Sequence, residues 1–444
     1  MIRSHRARLT AVAGTAALAM AVAACSSSTP SKGGGSALAA SAPGITAKTI
    51  TIGSHQPLTG IAAPGYDEIA PSSDAYFQYV NAHGGIYGRK IVYKYLNDEY
   101  NPTMTSTDVH QLILQDNVYA IFNGLGTPTH LAVAPFINSE HVPDVFVASG
   151  CECWNDVSKY PDTFGWQLDY IREGKILGKY IEEHFKGEKI GFFAQDDEFG
   201  SDGVAGLKDE IPKSQIVSVQ TYDPTNVKIA PQVAALKAAG AQVVVSFSVP
   251  AFTALLKLNM LGLKYNPQLV VSDVGSDPIT LAGLLASFAK NKTAGFGNSL
   301  TQGIITDGYL PSLGQTSNSW IQLFTKIYDQ YLKPKKFPFD GNVLYGLSVG
   351  YTFVQALLKA GRNPTRQDLI NAVNGGLPQG VAVAPFAYSS TDHNGITGAY
   401  IGTIKDGALV ADTGVFVTDD SPTGPVTAYT KPQPTAPASG IPSP

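Results

Sequence analysis

Short β-branched runs alternate with helix-period segments almost without interruption between residues 50 and 272. Residues 50–53, 91–96, 118–122, 145–148, 190–194, 216–222, 243–247 and 269–272 predict buried strands, because brief Val- and Ile-rich runs suit a sheet covered on both faces. Between them, residues 72–83, 104–115, 128–139, 171–185, 227–239 and 251–261 predict helices, several closed by glycine. Such β-α alternation implies an α/β fold with parallel sheets and right-handed crossovers. Ligands of open sheets bind beyond the carboxyl ends of the strands, so the loops after each strand are where function is to be sought.

The ends of the chain read differently. Arg3, Arg6 and Arg8 precede a small apolar run from Leu9 to Val22, and Val22-Ala23-Ala24-Cys25 closes it with small residues before a cysteine. This pattern resembles a bacterial lipobox, which implies a signal peptide over 1–24, lipidation of Cys25 and a chain anchored outside the cytoplasmic membrane. Residues 25–44 are Ser, Gly, Ala and Pro with little else, and read as a flexible tether. Residues 420–444 are rich in Pro, Thr and Ala and are expected to be disordered. No stretch after the leader offers ~18 consecutive apolar residues.

Some 375 residues remain, more than one core usually organises, so two lobes are expected. Without the three leader arginines, 28 basic residues face 35 acidic ones. An acidic chain with many Tyr and Phe and no basic patch argues against nucleic-acid binding and for a small-molecule ligand. Cys151 and Cys153 form a C-E-C pair, which an exported protein can hold as a strained disulfide or as free thiols. No metal site is expected, since no second Cys or His pair stands at zinc-like spacing, and no cofactor is called for.

The post-strand loops carry a series of short motifs. They are Gly53-Ser54-His55-Gln56-Pro57-Leu58-Thr59-Gly60, Gly84-Gly85-Ile86-Tyr87-Gly88-Arg89-Lys90 before a strand ending in Asn97-Asp98, Asn123-Gly124-Leu125-Gly126-Thr127, Ser149-Gly150, Gln195-Asp196-Asp197-Glu198-Phe199-Gly200 and Tyr345-Gly346. Their order and spacing over residues 46–417 resemble the leucine/isoleucine/valine-binding protein family, the solute receptors of ABC importers. The resemblance implies a type I periplasmic-binding fold: two Rossmann-like lobes, joined by three crossover strands near Leu168, Gly308 and Pro385, that close by a hinge on a ligand in the cleft. Lobe 1 is then 45–168 with 309–385, and lobe 2 is 169–308 with 386–419. A monomer working with ABC permease subunits is implied; a ligand-sensing receptor of the same fold is the alternative.

The resemblance also assigns ligand contacts. The family holds an α-carboxylate with a hydroxyl after the third strand and groups after the fourth, here Thr127, with Thr129 nearby, and Ser149 with Gly150. A hydroxyl beside a helix N-terminus suits an anion, and it equally suits a simple helix cap. The family's aromatic contacts fall near Tyr66, Phe199, Phe247 and Tyr345, and Trp154 lies in the loop after Ser149. The family acid that receives an ammonium aligns with Val274, and Asp273 and Asp277 flank it.

A rival reading comes from Gly346-Leu347-Ser348-Val349-Gly350, a G-x-S-x-G elbow followed by Asp392-His393. The elbow needs a strand before it, whereas residues 342–360 read as one apolar helix that would bury Ser348, so the chain is not expected to be an enzyme. The cluster at 392–395 reads as a polar turn between strands. His55 and His130 have no partner that spacing identifies, although His55 stands in the first post-strand loop.

Overall fold

The computed structural model describes residues 38–443, so the predicted signal peptide and Cys25 lie outside the described residues. The first sheet is wholly parallel, in the order β2-β1-β3-β4-β5, from β1 (Thr49–Gln56), β2 (Lys90–Asn97), β3 (Ile121–Phe122), β4 (Asp144–Val147) and β5 (Thr163–Gly165). The second begins with β6 (Ile190–Gln195), β7 (Ile216–Tyr222), β8 (Val243–Phe247), β9 (Gln268–Val271) and β10 (Ile305–Gly308), which are parallel to one another. It ends in an antiparallel meander of β11 (Gly398–Lys405), β12 (Ala408–Val417) and β13 (Thr427–Tyr429), giving the order β13-β12-β11-β10-β9-β8-β6-β7. The predicted strands are all present, although only Ile121–Phe122 of 118–122 pairs as strand.

The predicted helices are present, although 104–115 passes from α-helix to π-helix at Gln111, 227–239 is helical only from Ala230, and one segment divides. The segment 128–139 breaks into Thr127–Leu131 and Ala134–Ser139, because Pro135 has no N–H to give and its ring collides with the preceding turn. Gly341–Ala360 is long and apolar enough to cross a membrane, but it is packed inside the fold.

Three segments join the sheets side by side. The first follows β5, the second follows β10, and the third carries the turn at 392–395 between Phe386 and Ile396, which bridge antiparallel. Gly165 N donates to His393 O, Ile396 N to Trp166 O and Val383 N to Tyr309 O, each at 3.0 Å. A side chain at residue 395 would collide with the Trp166 backbone, so only glycine lets these strands approach. The third segment is longer than expected: the turn packs on β5, with the His393 and Phe164 rings 3.9 Å apart, and the second sheet resumes only at Gly398.

Both tails are corrected. Of the tether, residues 38–44 are pinned: Arg89 donates to Ala39 O at 2.8 Å and Ser41 to Pro364 O at 2.8 Å. The C-terminal segment is ordered against the fold. Tyr76 donates to Gly440 O at 2.8 Å, Tyr79 to Ser439 O at 2.8 Å and the Trp320 indole to Pro434 O at 2.6 Å. This Pro-, Thr- and Ala-rich segment cannot build a core of its own. It instead supplies acceptors to three buried donors, for which burial without a partner is costly.

Candidate functional site

A cavity of about 390 Å3 lies where the loops after successive strands converge. Tyr100 follows β2, Leu125 to Thr127 follow β3, Ala148 follows β4, and Gln167 follows β5; from the other sheet come Phe199 after β6, Val249 after β8, Asp273 to Asp277 after β9 and Tyr309 after β10. The parallel topology aims all these loops at one place. Aspartates fix the helices that open there: Asp169 caps Tyr170–His184, Asp197 caps Glu198–Glu210, Asp277 caps Pro278–Phe288 and Asp340 caps Gly341–Ala360.

Of the ten residues singled out from the sequence, Tyr66, Thr127, Phe199, Asp273 and Tyr345 line the cavity. The other five stand behind it. Thr129 donates to Leu125 O at 2.6 Å, the back-bond of a helical threonine. Ser149 shares a 2.7 Å hydrogen bond with Thr127, and its carbonyl accepts the Trp154 indole N–H at 3.0 Å. Trp154 is buried edge-on to His130, and Phe247 packs edge-on to Phe199. Gly150 lies tight against Tyr170, whose N–H it accepts at 2.7 Å.

The sequence reading missed Tyr100, Tyr170, Tyr309 and Tyr400, which all line the cavity. A signal existed for two, since Tyr309 directly follows the expected crossing at Gly308 and Tyr170 stands two residues after the one at Leu168. Tyr400 sits in the antiparallel end of the second sheet, which alternation did not foretell. Tyr66 donates across the cleft to Val274 O at 2.9 Å, and Gln195 reaches the Tyr100 hydroxyl at 3.3 Å, so both walls are joined. Asn123 donates to the Tyr345 hydroxyl at 3.2 Å, which fixes that ring.

Asp273 is the carboxyl group that lines the cavity without a capping role. Its N–H is held by Glu173 Oε1 at 2.8 Å and Asp307 Oδ1 at 3.0 Å. Burial, followed by the charge of Asp307, holds the Asp273 carboxyl well above the carboxylate range, while a hydrogen bond with Tyr309 opposes the rise. Burial likewise pushes Glu173 up to about 7. Three acids thus meet with no cation among them, and their charge is suppressed by retained protons.

The hydrolase constellation does not assemble. Ser348 lies within Gly341–Ala360, fully buried, and donates to Leu344 O at 2.6 Å. His393 is bonded to Thr163 O at 2.8 Å, and Asp392 pairs with Arg172 at 3.2 Å. Cys151 and Cys153 are joined as a disulfide with Cα atoms 5.1 Å apart. Among the described residues no group of three or more metal-ligating side chains converges.

With two lobes, three crossings and an interlobe cavity in place, the class is that of a two-lobed solute receptor. Residues 49–408 match the sequence model of the periplasmic binding protein family, and the chain belongs to that family. It is 23% identical over 353 residues to Leu/Ile/Val-binding protein homolog 3 of Brucella melitensis, covering 77% of this chain and 88% of that one. Among solved structures, a fatty acid ABC transporter substrate-binding protein from Thermomonospora curvata superposes with TM-score 0.71 at 22% identity, over 85% of this chain and 95% of that one. A branched chain amino acid ABC transporter protein from Thermus thermophilus with bound valine gives TM-score 0.70 at 19% identity, over 84% and 97%. The resemblance read from the loop motifs is borne out, as is the type I periplasmic-binding fold.

Proposed function

We propose that the protein is an extracytoplasmic solute-binding lipoprotein of an ABC importer, which captures a small polar or amphipathic molecule between its lobes and performs no chemistry on it. The observation that carries this reading is the interlobe cavity, whose walls come from both sheets and are bridged by the Tyr66 hydrogen bond to Val274. A ligand touching both walls binds the closed form better than the open one, and that difference drives closure. Hinge closure of periplasmic binding proteins is a general example of such a transition. The relatives support the reading: they are named for Leu/Ile/Val binding, and the solved neighbours for fatty acid or branched chain amino acid transport, one with valine bound.

Within it, Tyr66, Thr127, Phe199, Asp273 and Tyr345 contact the ligand, and the lobes divide at the crossings near Leu168, Gly308 and the segment 385–397. Cys25 carries the lipid that holds the protein at the outer face of the membrane, beside its permease subunits. The Cys151–Cys153 disulfide agrees with that oxidising side. The chain acts as a monomer.

A thermal-shift panel of amino acids, amides, ureas and small aromatic acids tests the proposal. A ligand at a hundredfold its dissociation constant stabilises the fold by about 2.7 kcal/mol, a readily measured shift. A panel that leaves the melting temperature unchanged, together with failure of the wild-type protein to take up labelled fatty acid at Cys25, overturns it.

A further inference from the structure

The cavity wall is asymmetric in charge. No lysine, arginine or histidine is among its lining residues, whereas Asp273 and Asp277 both are. Asp277 is committed elsewhere: it accepts from the amides of Ile279 and Thr280 and, across the cleft, from Gly341 N at 2.8 Å. Asp273 has no such duty, and it shares the cavity wall with Tyr66, Tyr309, Tyr345 and Tyr400. Elsewhere, Thr127 on the wall shares a hydrogen bond with Ser149 behind it. The Thr127 hydroxyl, the group the resemblance assigns to a carboxylate, is therefore already engaged by the protein.

We propose that the cavity selects an organic cation, a primary or quaternary amine on an apolar or aromatic body without a carboxylate, with Asp273 as counter-charge and tyrosine rings around it. This rests on the solute-binding reading of the cleft. A carboxylate would enter beside Asp273, with Glu173 and Asp307 behind it and no cation to pair with, and burying such a charge is costly. A cation does the opposite: it lets Asp273 ionise, and it is attracted to aromatic faces. An amino acid gains at its ammonium and loses at its carboxylate.

The test uses four probes with the same phenyl body: phenethylamine, the neutral 2-phenylethanol, L-phenylalanine and 3-phenylpropanoate, titrated calorimetrically into the wild-type protein. Phenethylamine is expected to bind at least tenfold more tightly than each of the others. Asp273→Asn is expected to lower its affinity tenfold or more and to abolish the preference over 2-phenylethanol, with the lobes still melting cooperatively. Should that variant fail to fold, the wild-type comparison of amine with alcohol decides alone, and parity between them overturns the proposal. Tighter binding of 3-phenylpropanoate or L-phenylalanine overturns the cation assignment while leaving a solute-binding cleft. Binding of none of the four also overturns it, and the broader panel then judges the solute-binding reading separately.

Discussion

His55 Nε2 lies 2.9 Å from His130 Nδ1, with both rings fully buried. At the far side of each ring stands an aspartate, His55 Nδ1 being 2.8 Å from Asp98 and His130 Nε2 2.7 Å from Asp144. Each carboxylate also accepts a hydroxyl, from Thr105 at 2.8 Å and from Thr163 at 2.9 Å, so both act as acceptors and each imidazole donates to its own aspartate. The remaining link needs a third proton, or two lone pairs would face each other. Burial foremost lowers the His55 pKa, with Asp98 opposing, so His55 stays neutral with its hydrogen on Nδ1.

Nitrogen NMR of the histidine side chains is expected to show three protonated ring nitrogens over the pair. Two neutral rings would contradict the assignment. Asp144→Asn disturbs the one oxygen shared by His130 and Thr163 in the core and is expected to cost about 1–3 kcal/mol in urea unfolding, the range for a buried hydrogen-bonding group left without its partner. Gly124 crosses directly over this pair, and a Cβ there would fall 2.5 Å from His55 Nε2 and 2.6 Å from His130 Nδ1. Gly124→Ala is therefore expected to be at least as disruptive.

Carboxyls meet at the cleft rim. Burial, then the neighbouring Asp340, raises the Glu68 pKa well above the ordinary 4.5; burial, then Asp277, raises that of Asp340. A raised carboxyl pKa means that the folded, closed protein holds protons which the unfolded chain releases. Stability is therefore lost progressively as pH rises from about 4.5 through neutrality. Melting temperatures across pH 5–9 are expected to decline, and Glu68→Gln to flatten the decline. An unchanged slope in the variant would assign the pH dependence to other groups.

Removal of residues 430–444 is expected to destabilise the protein by roughly 3–5 kcal/mol, from three lost buried hydrogen bonds at about 1 kcal/mol each and the exposure of Trp320 and Tyr76. Denaturant unfolding of the truncated chain measures it. A loss under 1 kcal/mol would mean that the tail only covers the surface.

Tyr66→Phe deletes the bond to Val274 O while keeping the ring. It is expected to weaken ligand binding about three- to tenfold, the effect of one neutral hydrogen bond of roughly 0.5–1.5 kcal/mol, and to act mainly on the off-rate. An equal loss of stability in the ligand-free protein would instead make the bond a plain structural contact.

Strand and helix identity was largely legible in the chain because periodicity is local. The apolar runs Ile-Gly-Phe-Phe-Ala at 190–194 and Val-Val-Val-Ser-Phe at 243–247, and the apolar face of 342–360, state their own burial, and order along the chain then dictates parallel sheets. Loop motifs were legible for the same reason, since a loop after a strand lies beyond the strand's carboxyl end in any such sheet. What local pattern could not state was pairing across long separations. His55 found Asp98 and His130 only once β1, β2 and the helix after β3 were side by side, and Tyr400 reached the cavity through an antiparallel hairpin. The tail shows the same limit from the other side: composition correctly denied it a core, but only the folded lobe could offer it Tyr76, Tyr79 and Trp320 to satisfy. Secondary structure is set by near neighbours in sequence, whereas hydrogen-bond partners of buried polar groups are chosen by neighbours in space.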